Sequence, residues 1–213
     1  MPSIATGVFE KLDRDVDTLL GMHSGTGAPG RPAGNNGPLL RSAVVLLVTA
    51  WENYVEQVLL EVIDHVTPIV AADANLLSTH LRSAVATKAK ESPWHVIGDS
   101  WLTDVARKRI EYEIRKFNTA ATKQVNTLVD QVLGIESILD SVSWQGLGAD
   151  KVQAYLDDLV LNIRGEIVHK GTPPGELDLG GVRNWRTFIG NLVRTFDVGL
   201  AKAVTTRYGS CCW

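Results

Sequence analysis

The sequence predicts an all-α protein, a bundle of six to eight helices. Three observations predict it. Apolar residues recur at three- and four-residue spacing in one segment after another, no stretch sustains a period of two, and Gly, Pro and Ser punctuate the gaps. With 213 residues, 45% of them hydrophobic and 21% charged, the chain is long enough to enclose a core of that kind.

A first helix is predicted from about Ser3 to Leu20, with Ile4, Val8, Leu12, Val16, Leu19 and Leu20 on one side. Asp13, Asp15 and Asp17 have the spacing of a calcium loop, but Thr18 stands where that loop needs Gly and Ser24 where it needs Glu, so no calcium site is expected. Gly21 to Pro38 is rich in Gly, Pro and Asn, lacks the Gly-Lys-Ser/Thr of a phosphate loop, and reads as a mobile surface loop. Residues 1–38 are thus expected as a helix plus loop ahead of a main helical domain, residues 39–213. Leu39 to Val66 is apolar on most faces and reads as the central helix. Its polar seam of Thr49, Glu52, Asn53 and Glu56 is either an exposed face or part of a functional site.

A further helix is expected from Ala72 to Lys90, broken by Ser92-Pro93. Thr103 to Asn118 reads as an amphipathic helix whose Arg107, Lys108, Arg109, Arg115 and Lys116 oppose Glu111 and Glu113. Glu111–Arg115 and Arg109–Glu113 have i,i+4 spacing, so this surface is either a solvated salt-bridged face or a local basic patch. Thr122 to Leu139 reads as two short helices divided by Gly134. Trp144 and Gly146–Gly148 form a turn, and a last long helix runs from about Asp178 to Thr206 through Val182, Trp185, Phe188, Ile189, Leu192, Val193, Phe196 and Leu200.

A net charge of −3 is wrong for a protein that holds nucleic acid by bulk electrostatics, so any such contact must come from a local patch. No run approaches 18 apolar residues, and no membrane contact is expected. The first residues have neither a basic nor an apolar region of a secretion signal. Cys211 and Cys212, adjacent and near the terminus, suit neither a disulfide framework nor a zinc site. The expectation is a cytoplasmic protein with no metal and no cofactor. His23, His65, His80 and His95 are scattered and read as structural.

Ala149 to Gly171 carries the most legible helix. Val152, Leu156, Leu159, Ile163 and Ile167 form its stripe; Lys170, Gly171, Pro173 and Pro174 end it. Arg164 and His169 lie in its final two turns, about 140° apart on a regular helix. A long arginine still reaches the imidazole's cleft, particularly if the last turn loosens towards Gly171. The spacing alone arises by chance about 0.3 times in such a composition, and cations near a helix C-terminus are favoured by its dipole.

The central "LLVTAWENYVEQVLLEV", the segment "FNTAATKQVNTLVDQVLGIESILDSVSW", the helix "LDDLVLNIRGEIVHKG" and the closing "RYGSCCW" come in an order that resembles the HEPN superfamily, most closely its RiboL-PSP type. The resemblance covers about Leu39 to Trp213. It implies a HEPN-type helical bundle that forms a homodimer, with R-x4–6-H pairs of two protomers meeting in one cleft. Active members are metal-independent endoribonucleases, often toxins paired with antitoxins or effectors of phage defence. It places Arg164 and His169 in the motif and Glu52 at the acidic position of the early core helix. If RNA is the ligand, the basic side of the Thr103–Asn118 helix, with Arg107, Lys108 and Arg115, and Lys170 beside the motif are candidate RNA contacts. Gly165 stands where active members often carry Asn, Asp or His.

Those residue types suit RNA cleavage. RNA carries its own nucleophile in the 2′-OH, so the protein must take that proton, protonate the leaving 5′-oxygen and stabilise charge on phosphorus. Histidine titrates near neutrality, and arginine offers a permanent planar fork matched to phosphate oxygens. The resemblance leaves two functional classes, such a ribonuclease and a non-catalytic HEPN dimerisation or RNA/nucleotide-binding module. A plain interaction domain, in which Arg164 and His169 only cap a helix, is the third.

Overall fold

A computed structural model describes residues 1–24, 37–98, 101–173, 175 and 177–213, apart from the side chains of residues 24, 95, 103 and 104. The described residues are 81% helical, and no strand occurs among them. The helices are α1 (Ile4–Ser24), α2 (Gly37–Ala72), α3 (Thr79–Glu91), α4 (Lys108–Lys116), α5 (Thr122–Leu133), α6 (Ala149–Asp157), α7 (Arg164–Lys170) and α8 (Leu179–Tyr208). A π-helical turn, Asp158–Ile163, joins α6 to α7 as one continuous run, and another, Trp101–Arg107, leads into α4.

The bundle is built around α2. Val44, Leu47, Val48, Trp51, Tyr54, Val55, Val58 and Val62 are all fully buried, which is what an all-round apolar helix requires. By length and a mean hydropathy of 1.3 over its best window, α2 would be long enough to cross a membrane, but 56% of that window is covered by the chain's own helices. The helix runs past the expected end at Val66 and through Pro68 to Ala72. Pro68 removes one backbone donor, while the Thr67 hydroxyl donates to the Ile63 carbonyl and Val70 is buried beyond it.

The expected single helix from Ala72 to Lys90 is instead two turns of chain and a helix. Asp73 caps a 3₁₀ turn, Ala74–Leu76, and the Ser78 hydroxyl caps α3 by accepting from the Leu81 amide at 3.1 Å. Two side-chain acceptors so close together compete with a continuous helix. The expected loop narrows at both ends, since α1 runs to Ser24 and α2 starts at Gly37; its middle, 25–36, lies outside the described residues. Gly134 ends α5 in the left-handed conformation, with φ 64°. A Cβ there would lie 2.6 Å from the Arg207 guanidinium, so glycine also makes room for α8's last turn.

Polar contacts lock the helices together. Asp197 of α8 is buried and accepts from the Ser3 amide at 3.1 Å, the Ser3 hydroxyl and the Tyr54 hydroxyl at 2.9 Å, tying the start of the chain to α2 and α8. Burial, with Asp197 beside it, holds the Tyr54 phenol well above the ordinary tyrosine range. The acidic residues of α1 also have a partner: Arg186 of α8 donates from Nε and Nη2 to Asp13 at 2.7 and 2.8 Å, and from Nη1 to Asp17. Tyr208 at the end of α8 donates to the Leu133 carbonyl at 2.8 Å.

Candidate active site

The π turn decides which way Arg164 points. On a straight α-helix the stripe Val152–Leu156–Leu159 would continue at Ile163, with Arg164 about 100° off it. A π turn absorbs one extra residue and sets everything after it back by roughly that angle. Past Leu159, Val160 and Ile167 are buried, and Arg164 is half-buried, as Ile163 is. The loosening of the helix therefore lies before Arg164 and not in the last turn. That last turn is regular and closes on Gly171 at φ 73°.

Turned inward, Arg164 meets α2. Its Nη2 lies 3.8 Å from Glu52 Oε2, with the two side chains 23% and 13% exposed. That is an ion pair beyond hydrogen-bonding distance. Glu52 Oε1 and Arg164 Nε are both buried and without a hydrogen-bond partner among the described residues. Burial pushes the Glu52 carboxyl up, against Arg164 and the Ala120 backbone amide, which draw it down. One turn on, burial and then the Glu52 charge push Glu56 up as well. The polar seam is thus half-buried, with Thr49, Glu52, Asn53 and Glu56 all partly covered. Ala120 also accepts from Trp51 Nε1 at 2.8 Å, and Asp157 of α6 accepts from the Thr122 amide at 2.7 Å, so the α4–α5 connection is pinned beside the pair.

His169 is exposed, and no hydrogen bond or ion pair among the described residues joins it to Arg164. Five regular positions place the two about 140° apart and roughly 7.5 Å along the axis. Between the start of α2 and α7 runs an open groove of about 450 Å³ lined by Arg41, Val45, Leu46, Thr49 and Ile167. Because Arg164 meets Glu52 and Ile167 meets this earlier part of α2, α7 runs antiparallel to α2 and its last turn points towards Arg41. Arg41 shares the Glu52 face of α2, eleven residues earlier, and makes no ion pair among the described residues. Sequence reasoning missed it; its i,i+11 register with Glu52 was the available signal.

The other candidate RNA contacts lie apart. Lys170 is exposed and pairs with Glu166 at 2.7 Å. Arg107 bridges Asp64 at 3.0 Å and Glu111 at 3.4 Å. Asp64 is twelve residues along α2 from Glu52, about 18 Å along the axis. Arg115 donates to the Glu111 carbonyl at 3.3 Å, and Lys108 is exposed on the same helix. Arg109 pairs with Glu113 at 2.5 Å as its spacing suggested, whereas the Glu111 carboxylate pairs with Arg107 instead of Arg115. The structure brings Arg164 and Glu52 together and leaves the α4 cations on a separate surface.

Among the remaining histidines, His65 Nε2 lies 3.1 Å from Ser210 Oγ and His80 Nε2 lies 3.1 Å from Glu113. At Gly165 a Cβ would meet only the Val160 carbonyl oxygen, at 3.9 Å, so the backbone there does not demand glycine. Among the described residues no group of three or more His, Cys, Asp and Glu side chains gathers as a metal site would. Leu161 and Val168, off the main stripe of the motif helix, are each 49% exposed and not buried by other described residues.

No curated protein and no solved structure matches the chain. The RiboL-PSP-HEPN family matches residues 14–202, from within α1 to late in α8. Because that match spans far more than half of the sequence, the chain belongs to the RiboL-PSP-HEPN family, whose domain is a HEPN domain.

Proposed function

We propose that the chain is a metal-independent endoribonuclease of the HEPN kind, working as a homodimer. The observation that carries this reading is the split within one protomer: Arg164 is held inward by Glu52 at 3.8 Å, while His169 faces out at the end of α7. One protomer offers a single imidazole for two proton transfers. A two-fold copy of α7 supplies the second imidazole and a second guanidinium, and Leu161 and Val168 offer apolar surface for that contact. In the step proposed, one His169 takes the 2′-OH proton as that oxygen attacks phosphorus. The other His169 protonates the departing 5′-oxygen. The products are a 2′,3′-cyclic phosphate and a 5′-hydroxyl. Arg164 stabilises the phosphorane oxygens, with Arg41 a further cation for the strand, and Glu52 positions Arg164. A toxin–antitoxin or phage-defence setting would add a partner protein that restrains the activity.

A second reading, a non-catalytic HEPN dimerisation or RNA/nucleotide-binding module, is favoured by Gly165 and by the compensation of Arg164 by Glu52. Cleavage of total RNA by the wild type and by His169→Ala, with EDTA present, separates the two. His169 is exposed, so its truncation should change stability by no more than about 0.5 kcal/mol. Cleavage is expected to fall at least about 100-fold. Equal cleavage by both proteins, or 5′-phosphate ends, defeats the mechanism; an intact RNA pool with folded wild type favours the second reading.

A further inference from the structure

Away from the Arg164 groove, four aromatic rings meet where the Trp144–Leu147 turn and α6 face the first half of α8. Trp185 lies 6.3 Å from Tyr155 and 5.8 Å from Phe188, with interplanar angles of 90° and 86°. Trp144 lies 5.6 Å from Phe188 at 54°. Phe188 is buried and forms the floor; Tyr155 is 47% exposed and Trp144 and Trp185 are half-buried. Rings packed edge to face keep other faces uncommitted. They border a cavity of about 560 Å³ that is also lined by the amides of Gln145, Asn184 and Asn191. That is a ligand-sized space; Gln145 and Asn184 each carry amide donors and an acceptor, and Asn191 offers its amide donors, its Oδ1 being taken by Arg194.

The neighbouring stripe of α8 is cationic. Arg186 is committed to Asp13 and Asp17. Arg194 is exposed and lines the adjoining groove between α1 and α8, and it donates to Asn191 Oδ1 at 2.6 Å, which ties its guanidinium to one residue of the cavity's lining. Ring faces, amide edges and an arginine so placed answer the three parts of an unpaired nucleotide: base plane, base edge and phosphate.

We propose that this slot binds an unpaired nucleobase of an RNA strand. Trp185 stacks on the base, Tyr155, set at 90° to it, closes on the base from the side, Asn184 and Asn191 contact its edge, and Arg194 holds a flanking phosphate. Tyr155 precedes Arg164 by nine residues in one helical run, about 14 Å along the axis. The slot therefore holds a base remote from the bond that would be cut. The proposal rests on RNA being the ligand, as proposed above, but not on cleavage.

The test is fluorescence anisotropy of the full-length chain with a labelled single strand of about twelve nucleotides. The strand is 2′-O-methylated throughout, so that it binds but cannot be cleaved. Tyr155→Ala and Trp185→Ala are expected to weaken binding at least about fivefold, and Trp185→Phe to recover most of the loss. Arg194→Ala should weaken binding and flatten its salt dependence. Tyr155 is exposed enough that its truncation keeps the test valid if Trp185→Ala does not fold. No binding by the wild type, or unchanged affinity in folded Tyr155→Ala, overturns the proposal. So does a shift from dimer to monomer in these variants with undiminished affinity, which would assign the face to a second copy. Ring-dependent binding by a chain that never cleaves RNA supports the slot while defeating the ribonuclease reading alone.

Discussion

Burial raises the pKa of two carboxyls on α2, Glu52 and Glu56. Glu52 and Glu56 stand one turn apart in a polar seam, which fits a solvated face and a functional site equally well. In the fold both are half-buried, Glu52 against Arg164 of α7 and the α4–α5 connection. That burial has a measurable sign. Burial and the Glu52 charge raise the Glu56 pKa above its ordinary 4.5, so the native state holds this proton more tightly than the unfolded chain. Stability contributed by Glu56 is therefore complete below about pH 4.5 and is lost as pH rises through the raised value. Glu56→Gln is expected to melt at a higher temperature than wild type at pH 7, with the difference closing near pH 4. Thermal melts by circular dichroism across that range check it, and a constant offset at all pH values would remove burial as its cause.

At the scale of an element, the run from Ala149 to Lys170 was predicted as one regular helix, and its π turn was not. Nothing in ordinary helix periodicity announces an extra residue, because Ile163 and Ile167 fit an unbroken stripe as well. The turn sets Arg164 inward and His169 outward, so it determines the site. If it absorbs one residue, removing one should return the run to α geometry with both halves still in register. Deleting Asn162, which is exposed and bonded only to Asp158 at 2.9 Å, is expected to cost less than about 1.5 kcal/mol and to keep the Arg164–Glu52 pair. Inserting one alanine after Asn162 turns α7 a further 100° or so and should cost more than the deletion, with Arg164 unseated. Urea midpoints of the two variants decide it; a deletion more damaging than the insertion would refute the register argument.

The whole molecule sets what a second copy can do. Leu161 and Val168 are spaced seven residues apart on one side of the motif helix and are each 49% exposed. Among the described residues no other helix of the chain buries them. If they form the two-fold contact, Leu161→Asp and Val168→Asp place charges in an apolar interface and leave the monomer intact. Sedimentation velocity across a dilution series is expected to show wild-type dimer and variant monomer, with RNA cleavage lost in the variants by at least about tenfold. A wild-type species at 23.2 kDa with undiminished specific activity would end the shared-site account.

Helix identity, the central place of α2, the left-handed glycine ends at Gly134 and Gly171 and the Arg164–His169 spacing all follow from local periodicity and backbone preference. The capped break at Asp73–Ser78 was also encoded locally, in acceptor side chains that periodicity overlooks. The contacts across helices were not. Asp13 and Asp17 find Arg186 from the far end of the chain, Ser3 finds Asp197, and Trp144 and Tyr155 find Trp185 and Phe188. Each depends on the angle at which α8 and the motif helix cross the bundle, which depends in turn on every side chain packed between them. One-dimensional spacing carries a residue's face; only the packed core decides what that face meets.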